Sequence, residues 1–353
     1  MNFNDLLRRR CAWLRDDGPD ADVAISSRVR LARNLSGFSF VSRATNDDLR
    51  NIVAACSRVA EKSFSTDEAE FIDIADVSVD DVRFLHERLL ASREFVEAGE
   101  RPRALLLEKR ENFCAMINEE DHLRLQATAS GFALRDLWKK VDRLDDAFEA
   151  ELDYAFDEKL GYLTACPSNV GTGIRASVML HLPALIETNE IEKVLRGLQK
   201  MNLAVRGIYG EWSRVLGEFF QISNQATLGA SEEEIIEQLS EVIPCVVKYE
   251  RQARQTILEK DRDGAMDRCC RAFALLKSAR AITMEEAMAH LSSVRLGVRL
   301  GLLDSVPISA LDELTPAVQT SHLRRATGIK ADAEIDEEVL RAEYVRKKLA
   351  DYV

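Results

Sequence analysis

The densest chemistry in the chain lies in Asn118-Glu119-Glu120-Asp121-His122-Leu123-Arg124, which packs three carboxylates, a histidine and an arginine into seven residues. An alternating apolar run (Phe113, Ala115, Ile117) precedes it, so the stretch falls where a strand leaves a sheet. Three adjacent acids on a surface strand repel one another. A site that must grip a cation beside an anion needs acids next to a base; a solvated charged turn is the plain alternative. A second group is Ile25 to Asn34, with Arg28, Arg30 and Arg33. On a strand, Arg28 and Arg30 share a face. Two guanidiniums there repel unless an anion sits between them, and arginine forks match phosphate oxygens. A solvated basic edge strand is the other reading.

The third group runs from Tyr162 to Ser177, through a Pro/Ser/Asn/Gly loop holding Cys166, Gly171 and Gly173, to Arg175. The two glycines are expected to let the backbone approach a ligand. Arg175 is read as opening an apolar helix, Val178 to Ile186, whose N-terminus would favour phosphate. The loop is not a P-loop, because no Gly-Lys-Ser/Thr follows. Cys166 is either a reactive thiol or a buried structural one. The fourth group is Leu203 to Ser213, where Arg206 and Glu211 bracket Gly207 and Gly210 in what reads as a mobile loop.

The elements that must position these groups follow from periodicity. Residues 1–22 read as a short helix and a loop, and 45–98 as mainly helical, with a strand at Phe71 to Ile74. Ala104 to Leu107 and Phe113 to Glu119 form a hairpin, and Leu123 to Thr128 alternates again up to Gly131. Leu137, Val141, Leu144, Phe148, Leu152 and Phe156 predict a helix over 134–157. Ile191 to Lys200 is another helix, and Gly217 to Asn224 returns to strand. Ser231 with Glu234 makes a capping box for a long helix to about Asp261, and everything beyond reads helical. Thr283 with Glu286 starts one of these helices, Gly301 stops it, and the last spans Glu334 to Leu349.

At 353 residues, two domains are the default, with the boundary near 230–255. A net charge of -12 argues against a nucleic-acid binder. No run of roughly 18 apolar residues occurs, so no membrane span is expected. Met1 to Arg10 lacks the apolar stretch of a secretion signal. Seven cysteines, an odd number with no CxxC, speak against a disulfide framework or zinc site, so reduced cytoplasm is the expected compartment.

The segments NEEDHLR (Asn118–Arg124), CPSNVGTGIRAS (Cys166–Ser177) and SSRVRLAR (Ser26–Arg33) together closely resemble the phosphagen, or guanidino, kinases, with Val170 where Ile or Leu is commoner. The resemblance spans roughly residues 23–253 and is nearest to the bacterial protein-arginine kinase branch. It implies an α+β fold: a curved antiparallel sheet flanked by helices, then an all-α C-terminal domain. The expected domains are an N-terminal segment 1–22, a catalytic domain 23–253 and a helical domain 254–353. With SSRVR starting at Ser26, no room would remain for the N-terminal domain of the free-guanidine kinases.

By motif, the resemblance implies that Arg28, Arg30, Arg124, Arg175 and Arg206 hold the ATP phosphates, with Ser27, Val29, Ala176 and Ser177 beside them. Glu120 and Glu211 would grip the target guanidinium, one acting as base, with Cys166 beside it as a thiolate. ATP and Mg2+ are the implied cofactors, the metal held by nucleotide and water rather than by protein ligands. Implied partners are protein substrates (unfolded proteins or a transcriptional repressor), a zinc-binding activator, a Clp-type AAA+ protease and a second copy in a homodimer; no membrane is involved. The alternatives are a kinase of a small free guanidine and an inactive adaptor. In the C-terminal domain, the branch's Arg-Asp-x-x-Arg-Ala motif aligns with Glu337 to Ala342. Glu337 reverses its first charge, which argues against phosphoarginine sensing there, and Arg341 is otherwise read as part of a solvated helix face.

Overall fold

The structure, a computed structural model, describes residues 3–207, 216–330 and 333–352. Its strands are β1 (Ala24–Arg33), β2 (Ala69–Asp73), β3 (Ala104–Glu108), β4 (Phe113–Ile117), β5 (Leu123–Ser130), β6 (Phe156–Asp157), β7 (Gly161–Tyr162), β8 (Ile174–His181), β9 (Leu203–Gly207) and β10 (Phe219–Asn224). The helices are α1 (Phe3–Leu7), α2 (Asn46–Ser63), α3 (Val79–Glu87), α4 (Arg93–Glu97), α5 (Leu134–Glu149), α6 (Pro183–Glu187), α7 (Ile191–Lys200) and α8 (Glu232–Lys260). After them come α9 (Arg262–Ser278), α10 (Met284–Arg299), α11 (Ile308–Ala317), α12 (Thr320–Thr327) and α13 (Glu337–Lys348). Eight strands form one sheet in the order β2-β3-β4-β5-β1-β8-β10-β9, antiparallel throughout. The chain is therefore α+β, with a helical C-terminal region. No helix among the described residues is long and apolar enough to cross a membrane.

The sheet's two faces differ in chemistry, and period two explains why. Val29, Leu31, Leu125, Ala127, Ile174, Ala176, Val178 and Ile222 point to one face, where α2, α5 and α8 bury them in the main core. The alternate residues point the other way. At the β3–β4 end that second face is apolar (Leu105, Leu107, Cys114, Met116) and α3 and α4 cover it. At the Met179 and Phe219 end the helices after α8 cover it. Between these covers the face carries arginines. Helices thus pack on both faces, and the site is the part of the second face left open.

Two expected elements change. The helix predicted over 134–157 ends at Glu149. Beyond it the Ser36 N–H donates to the Asp153 carbonyl (2.8 Å) and the Ala155 N–H to the Asn34 carbonyl (2.7 Å), which pulls the chain into extended pairing. Leu152 and Phe156 are therefore outside the helix. The apolar run expected as a helix from Val178 is mostly strand β8, paired with β1 and β10 on its two sides, and only Pro183–Glu187 turns helical. A short apolar run fits both periods, and only partners decide. The two predicted caps hold: Ser231 and Glu234 form the capping box of α8, and the Thr283 side chain accepts the Glu286 N–H.

Arg33 lies on the helix-packed face, 2% exposed, 2.7 Å from Asp145 and with its guanidinium 3.5 Å from the Tyr162 ring centroid. Arg33→Leu would strand the Asp145 carboxylate in the core with the Tyr154 hydroxyl as its remaining partner. We expect a loss of about 3–5 kcal/mol in urea unfolding. Arg341, also read from sequence as solvated, is 4% exposed and donates to the carbonyls of Val318 (2.6 Å) and Ile282 (3.0 Å). It ties α13 to its neighbours, while Glu337 accepts from Thr320 Oγ1 (2.8 Å) and pairs with Arg324.

Candidate active site

Register gathers the arginines. Arg30 of β1 stands opposite Arg175 of β8, and Ala32, two residues on, stands opposite Arg124 of β5. Gln221 of β10 pairs with both Met179 of β8 and Arg206 of β9. Cross-strand partners share a face, so Arg28, Arg30, Arg124, Arg175 and Arg206 all project from the open face. Arg28, Arg30 and Arg124 sit inside strands, as alternation suggests, and so do Arg175 and Arg206, which the sequence reads as a helix start and a loop residue. For Arg175 there is therefore no helix N-terminus to assist phosphate.

Two of these guanidiniums, Arg28 and Arg30, are electrostatically strained, whereas Arg124, against burial, is held above its ordinary value by Glu119. Burial, then Arg124 and Arg175, bring Arg28 down to about 10, although Cys114 acts the other way. Arg30 is pushed well below its ordinary value by burial and by Arg28, Arg124 and Arg175. Its Nε is buried with no hydrogen-bond partner among the described residues. A polyanion laid across the face would relieve this repulsion and satisfy the orphaned donor.

Of the four small residues expected beside the phosphates, the face admits one. Ser177 shares the arginine face, accepting from Gln221 Nε2 at 2.9 Å. Ser27, Val29 and Ala176 point to the opposite face and are fully buried, which removes their side chains from the site. Ser27 Oγ instead donates to the Gly131 carbonyl (2.8 Å) and accepts the Ala133 N–H (3.0 Å).

The acidic hairpin turn between β4 and β5 separates its residues by role. Asn118 takes a positive φ of 58° and donates to the carbonyls of Leu49 and Pro102. Glu119 is 1% exposed, 2.6 Å from Arg124, and accepts from Ser92 Oγ. Asp121 is buried and accepts from Asn34 Nδ2 and the Ala165 N–H, both at 2.6 Å. His122 is buried too: its Nδ1 accepts the Leu35 N–H at 2.9 Å and its Nε2 meets the Ser39 carbonyl at 2.9 Å. Burial lowers its pKa, consistent with a neutral ring accepting at Nδ1. That leaves Glu120 as the exposed carboxylate of the turn. Glu211, its expected partner, lies outside the described residues.

Asp121 also brings the thiol loop in. Its bond to the Ala165 N–H holds the residue before Cys166 against the Glu120 turn. Cys166 opens a 3-10 turn over Pro167–Asn169, is partly exposed, and lies 3.0 Å from Ser168 Oγ. Sequence reading missed the staple of this loop, Thr227, whose one hydroxyl proton is shared between the carbonyls of Val170 (2.7 Å) and Ser168 (3.0 Å). Only its place just after β10 hints at that. Gly171 and Gly173 serve packing rather than ligand approach. At φ 112°, a Cβ on Gly171 would lie 2.2 Å from the Thr227 carbonyl oxygen, and one on Gly173 2.6 Å from that of Ala32.

Glu119 and Glu120 titrate in opposite directions. Burial alone would raise Glu119, but Arg124 and hydrogen bonds from Ser92 and the Glu120 N–H overcome it and hold the carboxyl below 4.5. Its pairing therefore contributes stability above pH 4.5 that is lost as pH falls through the folded-state value. Glu120 is raised above 4.5 by burial and by Asp121 and Glu119, against Arg124. Carbon-detected NMR titration of the side-chain carboxyls should place the two midpoints on opposite sides of 4.5, and Glu119→Gln should remove the acid-limb loss of stability it causes.

A bank of repelling guanidiniums beside an exposed carboxylate and a thiol defines a site for moving a phosphoryl group from a polyanion to a cationic acceptor. The family described as ATP:guanido phosphotransferase, C-terminal catalytic domain, matches residues 51–253, and that described as Protein-arginine kinase McsB C-terminal domain matches 262–352. The protein-arginine kinase of Halalkalibacterium halodurans is 44% identical over 96% of this chain and 94% of its own. That of Halothermothrix orenii is 40% identical over 99% of each. Among solved structures, a lombricine kinase aligns with TM-score 0.59 and 23% identity over 69% of this chain and 70% of its own. A duplicated taurocyamine kinase from Schistosoma mansoni aligns with TM-score 0.60 and 24% identity over 70% and 35%. These two structural likenesses speak to fold. The chain belongs to the ATP:guanido phosphotransferase family, in its protein-arginine kinase branch.

Proposed function

We propose that this protein transfers the γ-phosphoryl group of ATP to the guanidinium of arginine side chains in proteins. The observation that carries the reading is the open sheet face on which burial, with Arg124 and Arg175 close by, depresses Arg28 and Arg30. The triphosphate lies across these arginines and Arg206. Magnesium would arrive with the nucleotide, since the arginines facing the phosphates cannot ligate a cation. It would supply charge neutralisation on the phosphates.

The acceptor guanidinium is cationic and a poor nucleophile while protonated. Glu120, with Glu211, orients it, and one of the two takes the proton as the N–P bond forms and the P–O bond to ADP breaks. Cys166 lies beside the same guanidinium. The family relationship further supports the cytoplasm as the compartment, a homodimer, a zinc-binding activator and delivery of marked proteins to a Clp-type protease. The domain division is taken at residue 253.

The test is a phosphotransfer assay with Mg-ATP and an arginine-rich unfolded protein, run beside free arginine and creatine. Acid-labile label on the protein alone is the expected result. Label on a free guanidine alone overturns the protein specificity, and bound ATP without transfer overturns the kinase reading.

A further inference from the structure

A separate cleft of about 860 Å³ opens where the end of α1 meets α11, α12 and α13, and it shares no lining residue with the arginine face. Its rim is basic in a chain of net charge -12. Arg8, Arg9 and Arg10 follow α1, and Lys347 and Lys348 end α13, against the carboxylates Glu313 and Glu343. Arg10 and Lys348 share Glu313 at 3.9 and 3.7 Å, with all three side chains about half exposed, so these pairs hold little. Arg8 and Lys347 have no ion pair among the described residues. The floor is apolar, with Leu7, Pro316, Ile329, Leu340 and the Tyr344 ring.

Among the described residues the depth of the cleft holds no free cation. Arg88 is paired with Glu111 at 2.6 Å, and Asp312 with Arg295 at 2.6 Å. The unpaired positive charge is therefore spread along the rim, above a lining that mixes apolar side chains with the buried Arg88, Asp312 and His322. A compact anion such as phosphate needs converging donors, which this arrangement lacks. An extended ligand with several carboxylates and a few apolar side chains matches it. Arg88 Nε and His322 Nε2, both on lining residues, are buried without hydrogen-bond partners among the described residues, which marks an incompletely satisfied wall.

We propose that this cleft docks an acidic, partly apolar peptide segment of the protein substrate. The substrate role rests on the kinase reading above; the binding itself does not.

The test uses the full chain and a labelled peptide alternating Asp or Glu with Leu and Phe, followed by fluorescence anisotropy. Wild type is expected to bind, more weakly as salt rises. The Arg8→Glu, Lys347→Glu double variant, at two exposed sites, is expected to bind roughly tenfold more weakly. In the phosphotransfer assay the same variant raises KM for a protein carrying such a segment, leaves kcat alone, and leaves a short arginine peptide without acids unaffected. Equal peptide binding by variant and wild type overturns the proposal, as does displacement of the peptide by inorganic phosphate or ATP. Absence of phosphotransfer alongside intact, charge-dependent peptide binding overturns the kinase reading and not the docking cleft.

Discussion

Arg30→Gln is expected to lower kcat/KM for ATP about 10²–10³-fold while leaving the fold as stable as before or more so. The two effects have opposite signs for one reason. Arg30 is crowded by Arg28, Arg124 and Arg175, and its Nε has no hydrogen-bond partner among the described residues. Removing the charge relieves that repulsion and should raise Tm. With ATP present, the same charge faces phosphate oxygens, and its loss weakens both binding and the stabilisation of charge on the transferring group. Thermal shift with and without ATP, beside steady-state kinetics, reads both. A variant with lowered Tm and unchanged kcat/KM would mean that Arg30 is structural and the face binds something else.

Glu120→Gln is expected to reduce kcat about 10²–10⁴-fold with ATP binding intact. The turn commits Glu119 to Arg124 and Asp121 to Asn34 and the Ala165 N–H, which leaves Glu120 as its one exposed carboxylate. Glutamine keeps the shape and loses both the charge that orients a guanidinium and the ability to take its proton. Because folding raises the Glu120 pKa, its charge is disfavoured in the native state. Neutralising it should therefore not destabilise the protein at neutral pH. Single-turnover transfer, with the ATP-induced thermal shift as control, separates chemistry from binding. A wild-type rate in the variant would move the base role away from this turn.

The contrast with Asp121 is instructive. All three acids of Glu119-Glu120-Asp121 look alike in the sequence, and the direction each takes depends on the positive φ at Asn118 and on partners tens of residues away. Nothing local distinguishes a carboxylate that braces a loop from one that faces solvent.

The sequence by itself determined that Arg28 and Arg30 share a face, because side chains alternate along any strand. It determined the starts of α8 and α10, because a cap is made within four residues. It determined the family too, since three short motifs carry it. Only the tertiary structure decided that Arg124, Arg175 and Arg206 join that face, since register between strands far apart in the chain sets it. It alone made β8 a strand, where the apolar run fitted two periods, and so turned Ala176 inward. It alone placed helices over both ends of the arginine face. Short-range rules fix what a segment can present; long-range pairing fixes what it is presented to.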